Sequence, residues 1–392
     1  MIDQYASLTG NWNYPTKIRF GAGRISELAD ACRTAGIRRP LLVTDPGLKP
    51  LPMIMEAIGA LEHAGIACAL FADVHPNPVG ADVEAGLKMF RANKNDGVIV
   101  FGGGSAMDAG KAIAFMSGQT RPIWDYEDRE DWWSRADPAG IAPVIAIPTT
   151  AGTGSEVGRA AVIVDESNHT KKIIFHPKML PVEVIADPEL TFGLPSHITA
   201  ATGMDALSHS LEAYCSPFFH PLGNGIALEG MRLCKDWLPT AVKTGSNIEA
   251  RAYMMAASSM GATAFQKGLG SMHAMSHPCS SLRGTHHGLT NAVVMPYVLL
   301  HNKSVIEERL AAAARYMNLK NQSFIGFVDW VLALREEVGI PNTLKEIGVD
   351  LDMIPEGAPM ALEDPSNGGN PLPMSVGDYE MLYRNAIEGR LV

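Results

Sequence analysis

The sequence predicts an α/β domain with a mostly parallel, Rossmann-like sheet, followed by an all-helical domain. In the first half, short β-branched runs alternate with helical patterns, as in βαβ units whose sheet is covered on both faces. After about Pro195 these runs fade, and apolar residues recur every three or four positions, with Gly and Pro at the joins. We therefore predict domains of 1–190 and 191–392, with the active site in the cleft between them.

Each half has its own predicted elements. The expected strands are RPLLVTD (39–45), GIACALFAD (65–73), DGVIVFGGG (96–104) and PVIAIPTT (143–150), with helices between them at 25–36 and 82–94. The expected helices of the second half include 197–215, 225–238, 249–266, 304–317 and 323–339. The turn-rich tail DPSNGGNPLP (364–373) is expected to be an ordered loop before a last helix.

Composition excludes several classes of function. The 392 residues are 46% apolar, which is enough for a large core, and 19% charged, which suggests extensive buried surface including a subunit interface. The net charge of −10 disfavours a nucleic-acid binder and offers no basic face to anionic lipid. Five Cys without a C-x-x-C pair, no signal peptide and no membrane-length apolar run predict a soluble, cytoplasmic protein.

A glycine-rich turn stands between a predicted strand and a predicted helix in DGVIVFGGGSAMDAGKAIAF. Such a turn lets backbone N–H groups approach a pyrophosphate, and the helix dipole favours the anion. Ser105 is expected to cap the helix. The alternative is a tight turn without a ligand. The predicted dinucleotide-binding residues here are Gly102, Gly103, Gly104, Ser105 and Asp108.

A second segment, GAGRIS (21–26), resembles the G-x-G-x-x-G fingerprint. The preceding run KIRF is short and carries Lys17 and Arg19, unlike a central buried parallel strand, which argues against GAGRIS as the phosphate loop. Asp45, which ends the strand LLVTD, suits either loop, because a carboxylate there accepts hydrogen bonds from a ribose 2′-OH and repels a 2′-phosphate. Asp45 therefore predicts NAD rather than NADP, the alternative being a simple turn residue.

The loop PTTAGTGSEVGR (148–159) places several hydroxyls among small residues after a predicted strand. At the open edge of a parallel sheet such a loop can contact phosphate or nicotinamide. The alternative is a surface loop rich in Ser and Thr. The candidate residues are Thr149, Thr150, Thr153 and Ser155.

Histidines cluster in MHAMSHPCSSLRGTHH (272–287), far above their average frequency in the chain. His273 and His277 are four residues apart, so they face one side of a predicted helix. Asp205 and His209 in GMDALSHSLE form a second pair with the same spacing. Two such helices and one loop histidine can supply four ligands to one cation.

The loop histidine of that site is His286 or His287. Imidazoles with one carboxylate and no thiolate suit Fe²⁺, Zn²⁺, Mn²⁺ or Co²⁺ rather than Cu⁺. The alternative for any one of these histidines is a hydrogen-bonded core residue. His220 and His301 lack spacing partners and are expected to be structural.

Taken in order, these motifs resemble the iron-containing (group III) alcohol dehydrogenases over essentially the whole chain. The matching segments are FGGGSAMDAGKAIA, PTTAGTGSEV, DPELTFGLPSHITAATGMDALSHSLEAY and GLGSMHAMSHPCSSLRGTHHGLTNAVVMP. The resemblance implies a dehydroquinate synthase-like architecture and a homodimer. It also implies an NAD-dependent dehydrogenase of small primary alcohols or hydroxy acids, with Fe²⁺ or alternatively Zn²⁺ polarising the substrate oxygen.

The resemblance also implies roles for individual residues. The implied metal ligands are Asp205, His209, His273 and His287. His277 would lie one turn from His273, near the nicotinamide, and move the proton. The glycine-rich turn at 102–105 would hold the pyrophosphate, which decides against GAGRIS, and Asp45 would face the adenosine ribose. The rest of the dinucleotide would be lined by Thr149, Thr153, Lys171 and Leu190, where the pair KK at 171–172 allows a shift of one residue.

The chain departs from the family at Ser276 and His286, where Ala and Pro are usual. His287 is the preferred fourth ligand because it directly precedes Gly288, as in the family. Three other functions compete with this interpretation: a lyase like dehydroquinate synthase, a metallohydrolase and a binding protein without activity. The first would need more cations around the metal region, and the second would leave the glycine-rich turn without a role.

Overall fold

The computed structural model of the protein describes residues 10–12, 16–168 and 170–392. The chain divides into two compact units, Met1–Thr150 with Gly154–Gly193 and Ala151–Thr153 with Leu194–Val392. The main division, after Gly193, lies close to the boundary predicted after residue 190. The N-terminal segment, for which we expect no signal peptide, lies mostly outside the described residues.

In the described part of the first unit, seven strands form one sheet and two more form a separate hairpin. The strands are β1 (Gly10–Trp12), β2 (Ile18–Phe20), β3 (Pro40–Val43), β4 (Ala69–Phe71), β5 (Gly97–Gly102), β6 (Val144–Pro148), β7 (Ala160–Asp165), β8 (Thr170–Phe175) and β9 (Glu183–Ala186). The large sheet has the order β1-β2-β9-β6-β5-β3-β4, with only β1 antiparallel to its neighbour among these described strands. The predicted mostly parallel sheet is confirmed.

Helices make the crossovers between the parallel strands. The α-helices of this unit are α1 (Leu28–Thr34), α2 (Pro52–His63), α3 (Gly80–Ala92) and α4 (Gly104–Met116). Shorter 3-10 helices lie at Arg24–Glu27, Ile123–Tyr126, Trp132–Arg135, Pro138–Gly140, Ser155–Val157, Pro177–Met179 and Pro188–Thr191. α2, α3 and α4 follow β3, β4 and β5 in turn, which gives the βαβ units that the alternating sequence pattern predicts.

The central strands explain the apolar runs in the sequence. Every residue of β3, β5 and β6 is buried. A parallel sheet covered on both faces needs apolar side chains on both sides of each strand, so these strands read as continuous apolar runs. Ile99 and Phe101 of β5 pack in one core cluster with Leu28 of α1 and Ile54 of α2.

The strand order places a crevice at a defined point of the sheet. From β3 the chain moves outward to β4, returns across β3 to β5, and then continues to β6 on the other side. In open α/β sheets, ligands bind outside the carboxyl ends of the strands where the direction of winding reverses, here between β3 and β5. Asp45 follows β3 and the glycine-rich turn follows β5, so both predicted segments lie at this point.

Two parts of the first unit differ from the sequence prediction. The run KIRF forms β2, a buried strand that pairs in parallel with β9 one position in from the edge. Arg19 of β2 pairs with Glu27, with Asp30 and with Glu183 of β9. Glu183 also lies 3.1 Å from Nζ of Lys17, the residue before the strand. The hairpin of β7 and β8 was not predicted, although Ala160–Asp165 alternates buried and partly buried residues as a half-buried strand does.

In the described residues from Leu194 onward, every regular element is helical, as predicted. The α-helices are α5 (Ser196–Cys215), α6 (Pro221–Lys243), α7 (Ile248–Ala264), α8 (Ser271–Arg283), α9 (His287–His301), α10 (Lys303–Tyr316), α11 (Phe324–Glu337), α12 (Ile354–Glu363) and α13 (Val376–Glu388). The 3-10 helices are Phe265–Lys267, Lys345–Ile347, Leu351–Met353 and Pro365–Gly369. None of the helices in the described part of the chain has the length and apolarity of a membrane span.

Helix α5 is the centre of the second unit. It packs against α6, α7 and α9, and every residue from Thr199 to Cys215 is buried. A helix covered on all sides has little amphipathic character, so its sequence is rich in Ala, Gly and other small residues. The polar side chains on such a helix have to find partners inside the protein.

Candidate nucleotide and metal sites

The glycine-rich turn begins where β5 ends at Gly102, and Gly104 is the first residue of α4. A Cβ at Gly102 would lie 2.7 Å from Cβ of Ala106, and one at Gly103 would lie 3.2 Å from Cγ2 of Thr150. The first contact is too short for any side chain, so the turn can close only with glycine. The N–H groups in the first turn of an α-helix have no partner within the helix, and they can therefore be presented to an anion.

Two predicted residues of α4 have protein partners. Ser105 does not cap the helix: the N-cap is Gly103, and the Ser105 hydroxyl donates to the carbonyl oxygen of Pro76. The prediction of a serine cap was therefore wrong. The Asp108 carboxylate accepts hydrogen bonds from Oγ of Ser155 at 2.6 Å and from a backbone N–H of β7 at 3.0 Å. Both of its oxygens are engaged, which favours a positioning role over direct contact with a nucleotide.

Asp45 has one carboxylate oxygen in a turn and the other beside the glycine-rich segment. Oδ1 accepts the N–H groups of Gly47 at 2.9 Å and Leu48 at 3.0 Å, as in an Asx turn. Oδ2 borders the glycine turn, since a Cβ at Gly102 would lie 3.6 Å from it. The geometry is therefore compatible with both sequence interpretations, the turn residue and the ribose contact.

The loop after β6 contains the division between the two units, so its threonines are assigned to different units. Thr149 is buried, and its N–H donates to the carbonyl oxygen of Gly102 at 3.1 Å. The side chain of Thr150 borders Gly103. Thr153 is grouped with the second unit. The loop after β6 thus lines the glycine-rich turn through its first two residues.

The remaining dinucleotide candidates are Lys171 and Leu190. Lys171 lies in β8, beside Lys172, whose Nζ pairs with Oδ2 of Asp165 at 2.7 Å. The ion pair of Lys172 with Asp165 engages the second residue of the pair KK in the protein. Leu190 lies in the 3-10 helix Pro188–Thr191 and packs against the core cluster of the sheet.

In the segment GAGRIS, a side chain of the protein accepts a backbone N–H that a phosphate would need. The segment forms a 3-10 helix at Arg24–Glu27, entered through Gly23 at a φ of 72°. Oδ2 of Asp187 accepts the N–H of Ile25 at 3.0 Å. A protein carboxylate therefore takes the place that a phosphate would need, which agrees with the argument against this segment as the phosphate loop.

In the second unit, three ligand atoms of the predicted metal site converge. Asp205 of α5, His273 of α8 and His287 at the start of α9 each place one ligand atom within 4.8 Å of the others. Asp205 and His273 are buried and His287 is partly buried. A carboxylate with imidazoles is a donor set that suits Fe²⁺ or Zn²⁺, and no thiolate is among them.

Asn291, one turn after His287 on α9, contacts all three of these ligand atoms. Its Nδ2 lies 2.9 Å from Oδ1 of Asp205 and 3.2 Å from Nε2 of both His273 and His287. The amide group therefore marks the point on which the three acceptor atoms converge. A cation near this point could accept the same lone pairs.

His209, the fourth predicted ligand, lies beside this group rather than within its 4.8 Å limit. Its ring stacks on His273 with 4.8 Å between ring centroids. Nδ1 of His209 is buried and has no hydrogen-bond partner in the described residues. Burial lowers the pKa of His209 to about 4, so at neutral pH the ring is in the uncharged form that binds metals. These features fit a histidine whose unpartnered nitrogen would bind a metal ion.

Two further side chains form hydrogen bonds to the Nδ1 atoms of His273 and His287. Oε2 of Glu212 lies 2.6 Å from Nδ1 of His273, and Oγ of Ser276 lies 2.7 Å from Nδ1 of His287. Burial lowers the pKa of His273, but the nearby carboxylates, with Glu212 first, outweigh burial and raise the pKa overall. In both histidines the ring nitrogen that faces the other ligands is therefore Nε2.

His277 lies next to the three-residue group without belonging to it. Its ring stacks on that of His287 at 5.1 Å, and its Nδ1 lies 2.7 Å from Oδ2 of Asp364. Burial raises the pKa of Asp364, but His277 outweighs burial and lowers the pKa overall. His286 instead caps α9, where its Nδ1 accepts the N–H of Leu289 at 3.3 Å. The structure thus brings His287, and not His286, to the ligand group.

Sequence reasoning missed four residues that contact predicted site residues, three of them beside metal ligands and one, Asp364, beside His277. Glu212 follows His209 by three residues and Asn291 follows the last predicted ligand by four, so helical spacing alone could have indicated both. Ser276 stands out in the sequence only as a departure from the family. Asp364 is 87 residues from its partner, and no local pattern could have indicated it.

Known proteins resemble the chain over nearly its full length. The family model of iron-containing alcohol dehydrogenases matches residues 15–188, and that of the C-terminal part of the Fe-containing alcohol dehydrogenase family matches residues 199–387. The 4-hydroxybutyrate dehydrogenase of Cupriavidus necator is 38% identical over 95% of this chain and 99% of its own.

Two solved structures extend this comparison. A 1,3-propanediol oxidoreductase has a TM-score of 0.90 at 35% identity, over 94% of this chain and 97% of its own. A sulfoacetaldehyde reductase from Bifidobacterium kashiwanohense, in complex with NAD⁺, has a TM-score of 0.86 at 30% identity, over 96% of this chain and 98% of its own. The chain therefore belongs to the iron-containing alcohol dehydrogenase family. Within the oxidoreductases, this family acts on the CH–OH group of alcohols.

Proposed function

We propose that the protein is an NAD- and metal-dependent dehydrogenase that interconverts a small primary alcohol or hydroxy acid with its aldehyde. The observation that carries the proposal is the convergence of Asp205, His273 and His287 to within 4.8 Å. The relatives named for 4-hydroxybutyrate and 1,3-propanediol support small hydroxylated substrates.

The cation would be held by Asp205, His209, His273 and His287. The buried Nδ1 of His209, which lacks a hydrogen-bond partner in the described residues, supports its inclusion. Fe²⁺ is proposed from the family, with Zn²⁺ as the alternative that the same donors accept. When bound, the cation supplies Lewis acidity toward the alcohol oxygen, and the nicotinamide accepts the hydride.

The dinucleotide would bind at the crevice between the carboxyl ends of β3 and β5. The first turn of α4 would face the pyrophosphate, with Thr149 and Thr150 beside it, and Asp45 would face the ribose. Lys171, Leu190 and Thr153 are proposed to line the remainder. The NAD⁺ complex of a relative supports this cofactor, and the carboxylate of Asp45 favours NAD over NADP.

His277 would carry the proton between the substrate hydroxyl and solvent. An imidazole is suited to this role near neutral pH. The carboxylate of Asp364, 2.7 Å from Nδ1, would fix the orientation of the ring and leave Nε2 for proton exchange. His277 is thus proposed as the catalytic residue of the chain.

We further propose that the protein works in the cytoplasm as a homodimer. The five cysteines are all free, which suits a reducing compartment. The homodimer rests on the family resemblance and on the low charged fraction of 19%.

The test is a panel of alcohols followed by NADH absorbance at about 340 nm, with enzyme reconstituted with Fe²⁺ or Zn²⁺. The panel includes 1,3-propanediol, 4-hydroxybutyrate and short primary alcohols, each with NAD⁺ and with NADP⁺. We expect turnover with NAD⁺ in the metal-loaded wild type. Asp205→Ala is expected to retain no cation and to show no turnover.

Two results would contradict the proposal. A reconstituted enzyme that reduces NAD⁺ with none of the alcohols would exclude the dehydrogenase. An Asp205→Ala variant with full metal content would remove Asp205 from the metal site.

A further inference from the structure

Glu212 is a buried carboxylate that bonds one of the proposed metal ligands. It lies on α5, seven residues after Asp205, and is 5% exposed. Oε2 lies 2.6 Å from Nδ1 of His273, while Oε1 accepts the N–H of Met272 at 2.7 Å. That N–H belongs to the first turn of α8, so the carboxylate holds both the ring and the start of the helix that carries it.

An ionised carboxylate accepts hydrogen bonds and donates none. The Nδ1 atom of His273 must therefore carry a hydrogen in this bond, and Nε2 is left to face the other ligands. Nε2 lies 3.2 Å from Nδ2 of Asn291, at the point where the ligand atoms converge.

We propose that Glu212 is a positioning residue of the metal centre, which holds Nε2 of His273 toward the cation by accepting its Nδ1 hydrogen. This inference rests on the proposed function, since it presumes a cation at Asp205, His273 and His287. A carboxylate behind a ligating histidine fixes the ring and makes it a stronger donor, and loss of such a partner costs about 10- to 100-fold in metal affinity.

Glu212→Gln tests the inference because an amide cannot replace both oxygens. The amide has one acceptor and one NH₂ group, but Glu212 faces two donors. If the amide oxygen of the variant still accepts the N–H of Met272, the NH₂ group faces Nδ1 of His273. Nδ1 must then accept a hydrogen bond, so the ring carries its hydrogen on Nε2, and this atom can no longer bind the cation. If the amide oxygen instead accepts the Nδ1 hydrogen of His273, the N–H of Met272 loses its acceptor.

Asp364→Asn is the matched control. Asp364 makes the same kind of bond, at 2.7 Å to Nδ1 of His277, but that histidine is not among the converging ligands. Both variants remove one buried negative charge beside an imidazole. Only the Glu212 variant is expected to alter the metal centre.

The experiment uses the full chain, freed of metal with a chelator and titrated with Zn²⁺ against a chromophoric competitor. We expect Glu212→Gln to raise the Kd for Zn²⁺ by about 10- to 100-fold. Asp364→Asn should stay within about threefold of the wild type, since it leaves the ligand group intact. The visible spectrum of the Co²⁺-loaded protein, which reports the number and geometry of ligands, should change in Glu212→Gln and be retained in Asp364→Asn.

The outcomes separate the inference from the proposed function. A wild type that binds neither Zn²⁺ nor Co²⁺ would overturn the proposed metal centre itself. A wild type that binds Zn²⁺, with Glu212→Gln equal to it in affinity and spectrum, would overturn only the role of Glu212. If circular dichroism shows that Glu212→Gln does not fold, Glu212→Asp decides. It keeps a carboxylate one methylene shorter, and an unchanged Kd would overturn the inference, whereas a higher Kd supports it.

Discussion

Gly288 is the second residue of α9, and replacing it with alanine should separate two metal ligands. A Cβ at this position would lie 2.6 Å from the carbonyl oxygen of Ala201 and 2.9 Å from Cβ of Asp205. Ordinary contacts begin at 3.4 Å, so relief of the first contact requires a displacement of about 0.8 Å, that is 3.4 − 2.6. Both opposing atoms belong to α5 close to its backbone, and neither can rotate away.

This displacement is large for a metal centre. Gly288 adjoins His287, while Asp205 lies on the opposing helix, so α9 moves one ligand away from the other. Metal–ligand distances tolerate about 0.2 Å, a quarter of the required shift. We therefore expect Gly288→Ala to lower the affinity for Zn²⁺ at least about tenfold. Overpacking should also lower the free energy of unfolding by roughly 1–3 kcal/mol, and the better helix propensity of alanine should offset about 1 kcal/mol of this loss.

The assay is Zn²⁺ titration of the chelated protein, with urea unfolding of the same metal-free samples. Gly225→Ala is the control, since a Cβ added at Gly225 of α6 would meet no atom of the described residues within 4 Å. The control should keep the Zn²⁺ affinity and gain up to about 1 kcal/mol of stability. A Gly288→Ala variant with the affinity of the wild type would refute the argument that this close approach sets the ligand spacing.

The remaining predictions concern the cofactor, the proton and a buried lysine. Asp45→Gly should raise kcat/KM with NADP⁺ relative to NAD⁺, and an unchanged ratio would leave Asp45 as a turn residue only. His277→Ala should keep its metal content but slow turnover about 100-fold or more, and a normal rate would exclude its role in proton transfer. Burial lowers the pKa of Lys267 to about 8 from an ordinary 10.5, so the folded protein releases this proton at a lower pH than the unfolded chain does. The free energy of unfolding should therefore rise by up to roughly 2 kcal/mol between about pH 7.5 and 9.5 from this group, and Lys267→Met should lack that rise in urea titrations.

The parallel sheet could be predicted because its central strands carry their own signal. β3, β5 and β6 are buried along their whole length, so each appears in the sequence as an apolar run. β2 could not be recognised in this way, because its middle residue is Arg19, whose charge is paired with Glu27, with Asp30 and with Glu183, which lies 164 residues away. The hairpin of β7 and β8 did carry a local signal, two β-branched runs around a short polar turn, although it is absent from the predicted strands.

The candidate metal site could be predicted in outline because helical spacing is local. Asp205 and His209 share a helix face, and so do His273 and His277, which restricts where their side chains can meet. Spacing does not show which members of each pair reach one point. The structure brings Asp205 and His273 together with His287, while His209 stacks beside them and His277 turns to Asp364.

Helix α5 shows why a buried site of this kind can be predicted from a sequence. A helix enclosed on every side tolerates Ala and Gly, whereas each buried polar group without a partner costs several kcal/mol. Glu212 satisfies both oxygens within the protein and Asp205 receives the amide of Asn291, but Nδ1 of His209 finds no partner in the described residues. A cation held by Asp205 and His209 would supply the partner that this nitrogen lacks among the described residues. Because such a cation would bind the folded chain and not the unfolded one, it would add about 2.7 kcal/mol of stability at about a hundred times its Kd, so the residues that weaken the helix as a core element would strengthen it once the metal is bound.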